Sequence, residues 1–203
     1  MGKDKYLKEI ENLFERSPVV SYSSIIRLMK SKNKVKYYPK RIINYLISKE
    51  KIKRLAKGYY TKSNDASLSV YCFQPDYLGL QDALSHHNLW EQETVPIIIT
   101  TRKVRQGIRS ILGKNVFLRR IQKKYFFGIE YALQDGLAMP YSDIEKTFLD
   151  MVYFKEKLGE EVLSEFRNRL DIKKLKGYLK RYPKRIKSIV ENYIEKGSKR
   201  GLK

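Results

Sequence analysis

Apolar residues recur at helical spacing from the start of the chain. Tyr6, Ile10, Leu13 and Phe14 line one face of a predicted helix over 5–16, which the pair Ser17-Pro18 ends. Ser21 is placed to cap a second helix carrying Ile25, Ile26, Leu28 and Met29. The link Lys32-Asn33-Lys34-Val35-Lys36 leads into a third, with Pro39 in its first turn, where a missing N–H costs nothing. At about 100° per residue, Ile42, Ile43, Leu46 and Ile47 fall within one arc of that helix, which predicts its buried side. Arg41, Asn44, Tyr45 and Ser48 lie opposite, with Lys40 and Lys49 on the flanks. The pattern then changes period. Residues 52–56, the turn Lys57-Gly58 and residues 59–61 read as a strand, a turn and a strand. Three helices followed by a basic hairpin is the order of a winged helix-turn-helix.

A short polar stretch, Asn64-Asp65-Ala66-Ser67, predicts the boundary between a first domain at 1–65 and a second at 66–203. In the second, 69–73 is β-like, Pro75-Asp76 is a turn, and 77–87 reads as a helix with Leu80, Ala83 and Leu84 on one side. Residues 95–101 have the β-branched content of a buried strand. Residues 116–121 and 125–130 alternate as an antiparallel pair around Gln122-Lys123-Lys124. Helices follow: Ser142-Asp143-Ile144-Glu145 has the spacing of a capping box ahead of Phe148, Leu149, Val152 and Tyr153, and 160–170 carries Val162, Leu163 and Phe166. Strands first and helices later predict an α+β fold.

Charge changes what these elements imply. Of the 43 Lys and Arg, 17 lie in residues 1–65 against 6 Asp and Glu, and 12 lie in 173–203 against 2. The 107 residues between are balanced at 14 each. Two basic blocks around a neutral middle point to surfaces that face a polyanion, since clustered cations gain by displacing the counterions of phosphates. On the third helix, Arg41 and Asn44 have the fork geometry that reads guanine and adenine edges in a major groove, with Tyr45 and Ser48 beside them. Lys36 and Lys40 suit phosphates, and Lys53, Arg54 and Lys57 of the hairpin can reach an adjacent groove or backbone. Double-stranded DNA is the expected partner.

Other classes are poorly matched. No apolar run approaches the roughly 18 residues of a membrane span, and the first residues show no apolar signal region, so a cytoplasmic chain without a membrane partner is expected. Cys72 is the single cysteine, which excludes an intramolecular disulfide and a cysteine-based zinc site. His86 and His87 are the only histidines. Adjacent helical residues diverge by about 100°, so no shared metal is expected of them. Asp143, Glu145, Lys146 and Asp150 have the composition of a nuclease cluster, but the capping box accounts for Glu145, the helix dipole for Asp143, and i,i+4 pairing for Lys146 with Asp150. Neither catalysis nor a cofactor is expected.

The segment Tyr77-Leu78-Gly79-Leu80-Gln81-Asp82-Ala83-Leu84-Ser85-His86-His87-Asn88-Leu89 resembles the "YLSLESALSYHGL" stretch of AbiEi-type antitoxins, which belong to abortive-infection (type IV) toxin–antitoxin systems. Thr100-Thr101-Arg102, Phe127-Gly128, the run from Asp143 to Asp150, and Leu170-Asp171 with Leu175 and Tyr178 resemble the family's later blocks, in order. Gly79 departs from the family's usual Ser, and the basic tail is longer than the resemblance requires. The resemblance implies an N-terminal winged helix that represses its own operon at inverted repeats, and a C-terminal antitoxin domain. The latter would counteract a nucleotidyltransferase-like toxin. Direct contact with that toxin is left open, as is the choice between a monomer and a weak dimer. A winged-helix regulator without a toxin partner is the alternative, followed by a nucleic-acid-processing enzyme.

The pentapeptide Tyr38-Pro39-Lys40-Arg41-Ile42 recurs letter for letter as Tyr182-Pro183-Lys184-Arg185-Ile186. Both predict the start of an amphipathic helix, the second with Ile186, Ile189, Val190 and Tyr193 as its apolar stripe. Arg181, Lys184, Arg185 and Lys187 are therefore a second candidate phosphate-contacting group. The plainer reading, a Lys-rich chain that twice reached the same good helix start, is the favoured one; the other is a second helix N-terminus whose dipole and cations act together on phosphate.

Overall fold

The apolar stripes of the first three helices meet in one core. The computed structural model describes residues 3–30, 38–92 and 94–198. Helices α1 (Lys3–Arg16), α2 (Tyr22–Lys30) and α3 (Tyr38–Ser48) bury Ile10, Phe14, Ile25, Met29, Ile42, Ile43 and Leu46 together. Ser21 caps α2, its Oγ accepting from the Ser24 amide at 3.1 Å. Strands β2 (Lys53–Ala56) and β3 (Tyr59–Thr61) form the expected hairpin, turning through Gly58 at φ +80°. One strand is invisible in the pattern: β1 (Val20–Ser21) pairs with β3, giving an antiparallel sheet in the order β1-β3-β2. Two residues are too short to show alternation. Ile47 departs from the expected buried arc and is 36% exposed. It lies about 90° from the centre of the arc set by Ile42, Ile43 and Leu46, at the margin of what the core covers.

The chain divides into two compact units, Met1–Phe73 with Arg109–Val116, and Gln74–Ile108 with Phe117–Lys203. The first unit runs past the expected break at 65/66. Most of the stretch expected to be β-like, 69–72, lies in a 3₁₀ helix, Ala66–Cys72, capped by Asp65, which buries Ala66, Leu68 and Val70 and lies against β2.

The second unit carries most of a six-stranded mixed sheet, ordered β6-β7-β5-β4-β9-β8. The expected helix from Tyr77 is divided. Asp76–Leu78 is strand β4, and α4 spans only Gln81–His86. Leu80 stands between them at φ +56°. β4 is hydrogen-bonded on both sides, antiparallel to β5 (Ile97–Thr100) and parallel to β9 (Leu137–Ser142), and that pairing overrides local helix propensity. The expected pairing of 116–121 with 125–130 does not form. β7 (Lys114–Arg120) runs parallel to β5 and neighbours β6 (Gly107–Ile111), while β8 (Ile129–Gln134) pairs with β9. Leu112-Gly113 and Asp135-Gly136, all at positive φ, make the tight turns of the two hairpins, and 123–125 is a 3₁₀ turn instead.

Helices α5 (Ile144–Phe154), α6 (Glu160–Arg169), α7 (Ile172–Leu179) and α8 (Lys184–Ser198) complete the α+β fold. α5 is the hub: Phe148, Leu149, Met151 and Val152 share a core with Leu163 and Phe166 of α6, Leu175 and Leu179 of α7, and Val190 of α8. Ile186, Ile189 and Tyr193 pack against that core, as the stripe predicts. No described helix is long and apolar enough to cross a membrane.

Candidate nucleic-acid interface

Helix α3 presents two unlike faces because its sequence separates them. Pro39, Ile42, Ile43 and Leu46 are buried, whereas Lys40, Arg41, Asn44, Tyr45, Ser48 and Lys49 are exposed. Ser48 Oγ donates to the Tyr45 carbonyl at 2.9 Å, which turns that hydroxyl back on the helix. Arg54 and Lys57 of the hairpin are also exposed. Lys53 is half-buried, and its ammonium donates to the Asn64 side-chain oxygen. Of the acids on α1, Glu11 pairs with Lys51 at 2.7 Å and Glu15 pairs with Lys62. Both contacts fall on cations other than those of the candidate face. Lys36 lies outside the described residues.

The second basic group is less uniform. Lys184 and Arg185 are exposed at the start of α8, and Lys187 is half-buried. The exposed Arg181 guanidinium lies 4.4 Å from the centre of the Phe127 ring, a cation–π contact. The two pentapeptides have different surroundings: Pro39 and Ile42 are buried, whereas Pro183 is exposed and Ile186 half-buried. Tyr182 is buried, stacked on Tyr125 with ring centres 4.5 Å apart.

The acidic cluster of α5 is bound into the fold. Lys146 and Asp150 are both 0% exposed and form an ion pair. The Tyr77 hydroxyl donates to Asp150 at 2.7 Å and accepts from Lys146 at 3.0 Å. Burial pushes the Asp150 carboxyl up and the Lys146 ammonium down, each opposed by the charge of the other. The capping arrangement differs from the expected box. Asp143, not Ser142, caps α5, accepting from the Lys146 amide at 2.7 Å, and Ser142 Oγ bonds Thr147 Oγ1. Glu145 accepts from the Asp171 amide at 2.9 Å and from Lys174 at 2.7 Å. Tyr178 donates to Asp143 at 2.8 Å; burial and that bond push its phenol up to about 12. These carboxylates therefore join helices to one another through cations, hydroxyls and amides.

The angular offset between the histidines does not keep their rings apart. The two rings approach to 5.0 Å, and one donor atom from each lies with a carboxylate oxygen of Glu130 within 4.8 Å. The angular offset between adjacent residues applies at Cα; here both side chains turn toward β9. The His86 ring stacks on Tyr141 at 3.9 Å, and His87 Nε2 lies 2.7 Å from the Ser142 carbonyl. Arg169 donates to the His87 carbonyl at 2.5 Å.

No protein-family model matches the chain, and no curated protein matches it significantly. Among solved structures, the chain is similar to the crystal structure of RV2827C protein from Mycobacterium tuberculosis, at 12% identity and a TM-score of 0.62. The match covers 95% of this chain and 77% of that one. At that identity the likeness speaks to fold alone.

Proposed function

We propose that the chain is a DNA-binding antitoxin that represses its own operon and counteracts a nucleotidyltransferase-like toxin. One observation carries the DNA-binding part: the exposed face of α3 gathers Lys40, Arg41 and Asn44, and the exposed Arg54 and Lys57 stand on a hairpin of the same unit. In this reading α1–α3 with the β1-β3-β2 sheet are a winged helix. α3 enters the major groove, Arg41 and Asn44 read base edges, and the hairpin cations hold phosphates. The antitoxin part rests on the resemblance of residues 77–89, 143–150 and 170–178 to AbiEi-type antitoxins, and is assigned to the second unit.

Binding to the chain's own promoter tests the first part. Arg41→Ala or Asn44→Ala should each weaken the specific complex by about 1–3 kcal/mol and relax base preference, whereas Lys53→Ala should weaken all sequences alike. Unchanged operator binding in both α3 variants would overturn the assignment. Co-expression with the adjacent gene tests the second part. A variant with Arg41, Asn44 and Lys53 all replaced by Ala should lose repression yet still restore growth at equal protein level.

A further inference from the structure

We infer that His86, His87 and Glu130 form a binding site for a zinc-like divalent transition-metal ion. The two histidines are the chain's whole complement of imidazole, and both stand at the end of α4. Strand register brings the third group to them. Glu130 is directly opposite Tyr141 in the β8–β9 ladder, so their side chains leave the same face of the sheet. The His86 ring is stacked on that same Tyr141. The carboxylate therefore stands beside the imidazoles by construction.

His87 Nε2 is the nitrogen that faces the carboxylate: it lies 3.8 Å from Glu130 Oε1 and 2.7 Å from the Ser142 carbonyl. An ion takes the Nε2 lone pair in place of that hydrogen bond, with the proton on Nδ1. The Ser142 carbonyl keeps the Thr147 hydroxyl, 3.2 Å away. His87 is buried and cannot readily turn away, and His86 is held flat against Tyr141. Glu130 is 50% exposed, and its side chain is the mobile ligand that can draw the 4.8 Å cluster closed around an ion. Two imidazoles and one carboxylate, with water in the fourth position, make up a ligand set that zinc accepts. A bound ion would tie the end of α4 to the edge strand β8.

The test is titration of the metal-free full chain with zinc chloride, followed by calorimetry and, with cobalt(II) in place of zinc, by visible absorption. A single saturable ion is expected, with the intense cobalt spectrum of a four-coordinate site. Affinity should fall at least about tenfold in both His86→Ala and Glu130→Gln. Glu130 is half-exposed on an edge strand, so Glu130→Gln leaves the fold in place even if a histidine variant does not. Absence of saturable binding, equal affinity in Glu130→Gln, or a weak octahedral cobalt spectrum would each overturn the site. Cys72 is buried and no other histidine exists, so a different nitrogen or sulfur site cannot imitate the result.

Discussion

Lys146 has no access to water, and its charge is faced by Asp150 and the Tyr77 hydroxyl. Removing one partner of such a pair costs more than the pair itself contributes, since the other charge stays desolvated. Asp150→Ala should therefore destabilise the protein by about 3–5 kcal/mol in urea unfolding. Tyr77→Phe, which removes one hydrogen-bonding hydroxyl, should cost only about 1–2 kcal/mol. Similar losses in the two variants would show that the pair is not held as described. Sequence alone placed Lys146 and Asp150 together, because i,i+4 residues share a helix face. It read them as an ordinary face pair, because spacing is the same whether that face is wet or dry. Burial becomes legible only once α5 is known to be covered by α6, α7 and α8. For the histidines, backbone angle was legible, and where the rings end was not.

Among elements, helices were located more surely than their ends. α3, α4 and α5 each finish in a left-handed residue that is not glycine, namely Glu50, Asn88 and Lys155. The hydrogen bonds that close these ends, such as Lys51 N to Leu46 O and Leu89 N to Leu84 O, are those of Schellman motifs. Without glycine at those positions, the stops carry little local signal. The opposite holds at Asp135-Gly136, the strongest hairpin signal in the chain, which a reading centred on apolar runs passes over. Gly128 is the glycine that the fold most needs. At φ +65° an added Cβ would meet Lys146 Cβ at 2.9 Å, Tyr178 Cε2 at 3.0 Å and Asp143 Oδ2 at 3.1 Å. Its carbonyl accepts from the Asp143 amide at 2.9 Å, so the start of α5 depends on the close approach. Gly128→Ala should cost more than the roughly 1 kcal/mol of backbone strain alone, whereas Gly136→Ala, with open space around it, should cost about that much. Thermal melts of the two variants decide this, and an equal loss would count against the packing described at Gly128.

For the whole molecule, salt dependence decides whether the two basic ends act on one polyanion. If Arg181, Lys184, Arg185 and Lys187 touch phosphates alongside the α3 face, replacing all four by neutral residues should flatten the slope of log K against log salt by roughly two to four, with base preference intact. An unchanged slope would leave the tail as a solvated helix end or a surface for an acidic partner. The α+β class was legible because the strands of the second part come first and its helices later. Sheet order was not. β5 beside β7 and β4 beside β9 are parallel pairings between segments distant in sequence, and alternation within a strand does not name its neighbour.

The grouping of Arg109–Val116 with the residues before Gln74 has a practical consequence. A fragment cut after Phe73 would lack Arg109–Val116, a piece of its own unit that lies in strands β6 and β7. Neither half is a transferable cassette. If α3 reads DNA as proposed, a new specificity would enter by point changes on that helix rather than by exchange of a whole module.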